Sequence, residues 1–474
     1  MFVIYPHRFG MSKRFRTCSL DQPFLLPPSL QEWLPDQHLA RFIAEVADEL
    51  DLSPIYAAYE RKDGRGLSAY HPLMLTRVLL YGYCVGVTSS RRIEKATYED
   101  VAVRYLAADQ HPDHDTIATF RQEHLQELGS LFAEALRLCR RAGLVKLGNV
   151  ALDGTKLQAN ASRQQSVSHA RLSEQEQALK QQVDQLLQQA QQTDQEEDER
   201  YGKGRSGDEL PPELADAGRR LQKIREAKRA LEQEAAQALE EARRHYPNAG
   251  RRGRPRKGEE PGGSPAEQTR RKSRFKRAQQ NAKQPTRQFN FTDPDSRVMR
   301  DNGLGCFVQG YNAQMAVDGH AQVIVAADVT QQVVDRGQLL PMCERIRASL
   351  GSLPPVLSAD AGYWDTLSIE DPALRGTELL VAPDATHQWA RPKPGNVNPA
   401  IQRMREKLSS GVMRELYAMR RTIVEPVFGQ IKQARGLRRF AFRGLQKVRA
   451  EWKLICLTHN LLKMFRYSWL PQAS

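Results

Sequence analysis

A chain of 474 residues is longer than one compact core usually serves, so two or three domains are expected. Hydrophobic residues at 40% supply a core, and a net charge of +14 points to a polyanion, nucleic acid first. Six scattered cysteines without a Cys-x-x-Cys pair argue against zinc and against a disulfide framework, and no apolar run reaches the roughly 18 residues of a membrane span. Without a signal-peptide pattern at its start, the protein is expected in the cytoplasm, associated with the nucleoid.

Residues 1–145 read as a helical N-terminal DNA-binding domain. Leu39, Phe42, Ile43, Val46 and Leu50 keep the helical period, and Pro72 suits the first turn of another helix. Ser89 or Ser90 reads as the cap of the next helix, and Asp115 as the cap of one running to about Cys139. The turn AADQHPDHD between two helices fits either a helix-turn-helix or a plain bundle.

At Gly148 the texture changes. NVALDGTKL reads as a strand ending at Asp153. From 171 to 246, Leu172, Leu179, Val183 and Leu186, then Leu214, Ala217, Leu221, Ile224 and Leu231, keep heptad spacing around a Gly-rich break. That predicts an inserted helical hairpin (coiled coil), or else a dimer coiled coil. Residues 247–288 read as a disordered basic linker. YNAQMAV and QVIVAADV follow as strands around Asp318-Gly319, then a helix over Asp335–Leu350 with Pro341 in its first half. PPVLSAD is a strand ending at Asp360, and ELLVA is another. With the insertion removed, 146–170 and 289–440 have the element order of an α/β ribonuclease-H-like catalytic domain, followed by a basic C-terminal helix over 441–474.

The positive charge is focused. Gly250–Gln288 holds 13 Lys/Arg against 3 Asp/Glu, and Arg403–Arg466 holds 16 against 4. Together these exceed the chain total, so the remainder is net negative, as a nucleic-acid footprint requires. Arg252, Arg254 and Arg256 with Gly253 and Pro255 have the composition of an AT-hook core, whose arginines enter a narrow minor groove. RRKSRFKR at 270–277 is phosphate-binding charge.

Phosphodiester chemistry calls for carboxylates converging on two hard cations about 4 Å apart. Asp153 and Asp360, each ending a strand, are candidates, because ligands gather at the carboxyl ends of strands in α/β sheets. In YAMRRTIVEPVFGQIK, Tyr417, Arg421, Glu425 and Lys432 fall on one helical face, an acid flanked by bases suited to phosphates. Pro426 predicts a kink or helix restart. Asp328, Asp335, Asp365 and Asp384 read as caps or turn residues, and Trp364 as core.

The segments ALDGTKLQAN, GYNAQMAVD, LSADAGYWD and VEPVFGQIK, in that order, resemble the D-D-E transposases of bacterial insertion sequences, in the branch with a Tyr-Arg-Glu-Lys signature. Arg421, Glu425 and Lys432 match its spacing. Tyr417 has the signature spacing to Arg420 instead, so both arginines stay candidates. The resemblance implies that Asp153, Asp360 and Glu425 hold two Mg²⁺ (Mn²⁺ substituting). It also implies that Tyr417, Arg420, Arg421 and Lys432 contact DNA. The expected partner is double-stranded DNA, as terminal inverted repeats and target, bound by a homodimer. The expected activity is strand cleavage and transfer. A nuclease without joining activity, or a non-enzymatic DNA-binding descendant, are the alternatives.

Overall fold

In the computed structural model, the residues described are 29–61, 69–201, 212–245, 265–283, 287–301, 305–383, 398–409 and 411–469. The N-terminal part is helical: α1 (Leu30–Trp33), α2 (Leu39–Glu49), α3 (Ser53–Glu60), α4 (Pro72–Val85), α5 (Ser90–Glu99), α6 (Val101–Leu106), α7 (His114–Glu123) and α8 (Leu125–Arg141). Pro72 opens α4, whose apolar residues are buried almost all round. Ser89 is the N-cap residue of α5, without a side-chain cap bond. The single helix expected after Asp115 is instead two, broken at His124, and Asp113 caps the first by accepting from Thr116 N–H. The turn AADQHPDHD joins α6 to α7. Arg121 of α7 is buried and donates to Thr88 O, while Asp115, Gln122 and Glu123 are exposed. An acidic and neutral outer face does not suit a phosphate backbone, so these helices fit a bundle better than a helix-turn-helix.

The sheet contains β1 (Asn149–Gln158), β4 (Arg297–Asp301), β5 (Cys306–Asp318), β6 (Ile324–Thr330), β7 (Val356–Ala359) and β8 (Glu378–Val381). β5 is long enough to pair with β4 along its first part and β6 along its second. On its other edge β5 pairs antiparallel with β1, then β1 with β7 and β7 with β8 in parallel. This mixed sheet with helices is consistent with a ribonuclease-H-like fold. β1 does not end at Asp153, as expected, but runs five residues further because β5 continues to pair with it. Order also returns before Cys306, at β3 (Gln288–Asn290) and β4.

Between β1 and β4, β2 (Ser166–Ser168) pairs antiparallel with β3. The long helices α9 (His169–Tyr201) and α10 (Pro212–His245) lie between them in sequence. Glu176 pairs with Arg225 and Lys228, and His169 with Glu232, so the two helices run antiparallel. Leu172, Ala227 and Leu231 form a small buried cluster with Val167 and Phe289 of the ladder packed against it. The linker expected to be disordered over 247–288 holds α11 (Pro265–Lys283). Its Arg, Lys, Gln and Ala are good helix formers, and the reading from charge overlooked this. Arg252, Arg254 and Arg256 lie outside the described residues.

After β6, α12 begins at Leu339 rather than Asp335. Pro341 then falls in the first turn, where a missing N–H costs nothing. Short α13 (Thr366–Ile369) precedes β8, and α14 (Pro399–Ser409), α15 (Gly411–Gly429) and α16 (Leu445–Met464) complete the chain. α15 runs through Pro426 as one helix, so of the kink or restart expected there the restart does not occur. Pro426 leaves the Thr422 carbonyl without its helical donor, and Gln322 Nε2 donates to that oxygen at 2.9 Å. A π-helical turn, Gln430–Ala434, follows. α16 is buried along most of its length, and one core runs from Phe42 through Val150 and Ala316 to Trp452 and Leu457. Each such Leu or Phe contributes about 1.5–3 kcal/mol by leaving water. Among the described residues no helix is long and apolar enough to cross a membrane.

Candidate active site

The register of the parallel strands positions the first two acids. Leu152 of β1 is level with Ala359 of β7, so the residues that follow, Asp153 and Asp360, stand side by side at about one strand spacing, 4.8 Å. Asp153 Oδ1 accepts from its neighbour Gly154 N–H at 2.8 Å, and Asp360 Oδ1 from Gly362 N–H at 2.9 Å. Burial pushes the Asp153 carboxyl up to about 7. The Asp360 charge adds to this, and Arg420 and the Gly154 N–H oppose it. Burial also raises Asp360, with Asp335 as the next cause and Arg420 opposing. Two desolvated carboxylates held at strand spacing favour a proton or a cation between them.

The third acid arrives on a helix. α15 lies against the sheet with Arg420, Ile423, Val424 and Val427 buried. Arg420 Nη1 pairs with Asp153 Oδ2 at 3.3 Å, its guanidinium carbon is 5.8 Å from the centre of the Tyr417 ring, and its buried Nε carries no hydrogen bond. Further along, Lys432 Nζ donates to Thr155 Oγ1 and Lys156 O, each at 3.1 Å, with Asp301 3.8 Å away. Both flanking bases therefore touch β1, and Glu425, between them on the same helical run, is carried past β1 as well. Its side chain, however, is exposed. Among the described residues, no three His, Cys, Asp or Glu side chains converge closely enough to ligate one ion as they stand.

Of the expected residues, then, Asp153, Asp360, Arg420 and Tyr417 come together, Lys432 packs against β1, and Arg421 and Glu425 are exposed. Of the two candidate arginines, the one with Tyr417 spacing, Arg420, faces the acids. The basic C-terminal residues divide similarly. Arg435 is buried and donates to Tyr83 O, Ile455 O and Thr458 Oγ1, so it braces the core instead of holding DNA. Arg438, Arg439 and Arg443 are exposed, and each donates through Nε to a backbone carbonyl, of Lys432, Ala159 and Asn160.

Asp335 was expected to be a cap or turn residue; it lies beside the acid pair. Its Oδ1 accepts from Asn312 Nδ2 at 2.7 Å and Gln314 Nε2 at 2.8 Å, with Lys156 Nζ 3.5 Å away. Tyr363 donates to Gln314 Oε1 from behind. A Cβ on Gly154 would stand 2.3 Å from Gln314 Nε2 and 2.6 Å from Asp335 Oδ1, so only glycine lets this cluster approach the strand. The available signal was Asn312 and Gln314, two polar residues alternating inside an otherwise apolar strand. Asp328 is a buried ion-pair partner of Arg345 and Arg449, and Asp365 caps α13 as expected. Trp364 is core, and Asp384 lies outside the described residues.

Comparison with known families matches residues 28–123 to a transposase domain (DUF772) and residues 386–465 to a transposase DDE domain. The first spans α1–α7. The second spans Tyr417, Arg420, Glu425 and Lys432, and leaves Asp153 and Asp360 outside it. No curated protein and no solved structure matches. The two matches support a DDE transposase acting on DNA.

Proposed function

We propose that this protein hydrolyses one DNA strand at terminal inverted repeats with water and joins the freed end to target DNA, its 3′-hydroxyl oxygen attacking a target phosphodiester and displacing the target's own 3′-oxygen. Asp153, Asp360 and Glu425 would hold two Mg²⁺, with Mn²⁺ able to substitute. The donor set suits the ions: the acids are hard oxygen ligands, and the sheet pair is desolvated and crowded with like charge. Bound there, divalent ions supply Lewis acidity and an activated oxygen nucleophile.

The chain's own residues set the rest. Asp153 and Asp360 are fixed by strand register and by backbone N–H donors, so their oxygens need no reorganisation. Arg420 holds Asp153 and places its positive charge beside both sheet acids. Glu425 is the acid whose side chain must turn toward the pair. Arg438, Arg439 and Arg443, anchored by Nε, offer their outer donors to phosphates near the end of β1. Lys272, Lys276 and Lys283 form one exposed row on α11 that suits a DNA backbone, and Arg252, Arg254 and Arg256 would enter a minor groove. The protein would work as a homodimer on the nucleoid.

The observation that carries this reading is the placement of Asp153 within β1 and Asp360 just past the end of β7, neighbouring parallel strands, with Arg420 brought to Asp153 by the helix that bears Glu425. The test incubates purified protein with Mg²⁺ and end-containing DNA. Cleavage and joining are expected. Cleavage without joining identifies a nuclease, and Asp360→Asn with full cleavage refutes the acid assignment.

A further inference from the structure

The site contains one acid that the triad does not use. Asp335 is not a surface carboxylate. Asn312 and Gln314, neighbours on one face of β5, both donate to its Oδ1, and Gln314 is in turn held by Tyr363. The side chain of Asn312 also donates to Gln332 O, in the loop before Asp335. Such a clamp fixes one oxygen and aims the other. A Cβ on Gly362, in the turn that carries Asp360, would lie 3.4 Å from Asp335 Oδ2 and 3.0 Å from Asp360 Oδ1. Two glycines, Gly154 next to Asp153 and Gly362 in the Asp360 turn, thus let Asp335 approach both members of the acid pair. Lys156 Nζ, 3.5 Å away, pairs with Oδ1, whereas Oδ2 faces the Asp360 turn, and that approach of like charges costs energy unless a further cation lies nearby.

We propose that Asp335 is a positioning residue of the cation site: clamped by Asn312 and Gln314, it directs its second oxygen at the Asp360 turn and strengthens that acid's hold on a divalent ion. The inference rests on the proposed function. Partners just outside a metal's ligands typically change its affinity by about 10–100-fold, and Asp335 is expected at the lower end, about tenfold.

The experiment titrates Mn²⁺ into the full chain without DNA, followed by the electron paramagnetic resonance of free Mn²⁺, for the wild type and Asp335→Asn. Asparagine keeps an oxygen for the two amide donors and removes the charge. Weakened Mn²⁺ binding, with an unchanged or higher thermal midpoint in chelator, is the expected result. Unchanged affinity overturns the inference and leaves the proposed function standing. A wild type that binds no Mn²⁺ defeats both. If Asp335→Asn does not fold, Asp335→Glu keeps the charge and displaces it by one methylene. Severalfold weaker binding is then expected, and wild-type affinity overturns the proposal. A structural role alone would lower the midpoint in chelator and leave affinity intact.

Discussion

The sheet-borne acids and the helix-borne acid differ in how the chain prepares them. Asp153 and Asp360 are set by hydrogen-bonded register, partly buried and fixed by adjacent N–H groups. Glu425 rides on α15, which reaches β1 through Arg420 and Lys432, yet its carboxylate faces solvent. The strands thus build in advance the part of the site that is costly to assemble. The exposed carboxylate of Glu425 stays solvated and is spared that desolvation. The comparison also shows why the pair carries raised proton affinity: it is confined where a single mobile side chain would relax.

The largest expected effect breaks the pair. Asp153→Ala or Asp360→Asn should reduce DNA cleavage by at least about 10³-fold, equivalent to several kcal/mol of charge stabilisation at the reacting phosphate. Glu425→Gln should match that loss in a cleavage assay. Only the sheet variants should also alter the unliganded protein. Next, Arg420→Ala should slow cleavage by about 10²-fold, whereas Arg421→Ala, on the exposed side, should cost less than about fivefold. The reverse ranking in parallel assays would return the signature role to Arg421.

Gly154→Ala probes the close approach on the far side of β1. With side-chain atoms 2.3 and 2.6 Å from the new methyl, a loss of about 1–3 kcal/mol in urea unfolding is expected. The remaining prediction concerns pH dependence. Asp153 has its affinity raised to about 7 from an ordinary 3.8, so between those values the native state holds a proton that the unfolded chain releases. Stability in chelator should therefore fall as pH rises from about 4 to about 7, by up to about 1.4 kcal/mol per pH unit for this group. Glu451, buried and also raised to about 7, adds a slope of the same sign. Asp153→Asn should remove one share and Glu451→Gln the other, as measured by denaturation at a series of pH values. A slope unaltered by Asp153→Asn would mean that this carboxyl is not confined as drawn.

Much of this was legible in residue order. VLSAD reads as an apolar strand stopping at an acid, and the strand does stop there, where Asp360 caps the turn Ala361–Tyr363. Asp153 was legible as an acid on a strand, but the strand's end was not, since β5 keeps pairing past it in a stretch that is half polar. The break between α7 and α8 was hidden because Leu125 and Leu128 continue the apolar spacing across His124. Asp335 was harder to read: Asn312 and Gln314 stand out as polar residues of β5, but that both donate to Asp335, in the loop after β6, appears only in three dimensions. The continuity of α15 through Pro426 was equally non-local, since the acceptor that proline strands is satisfied by Gln322, on the β5–β6 turn.

The short β2–β3 ladder has a consequence of its own. Ser166 meets Asn290 and Ser168 meets Gln288, so the polypeptide leaves the main sheet and re-enters it through a short hydrogen-bonded gateway, with Arg297 and Glu234 as a further tie between β4 and α10. Because closing a longer excursion adds entropy only logarithmically, whatever hangs beyond that gateway can lengthen, shrink or be exchanged at little thermodynamic penalty. The appendage can thereby change in length while the strands bearing Asp153 and Asp360 keep their register.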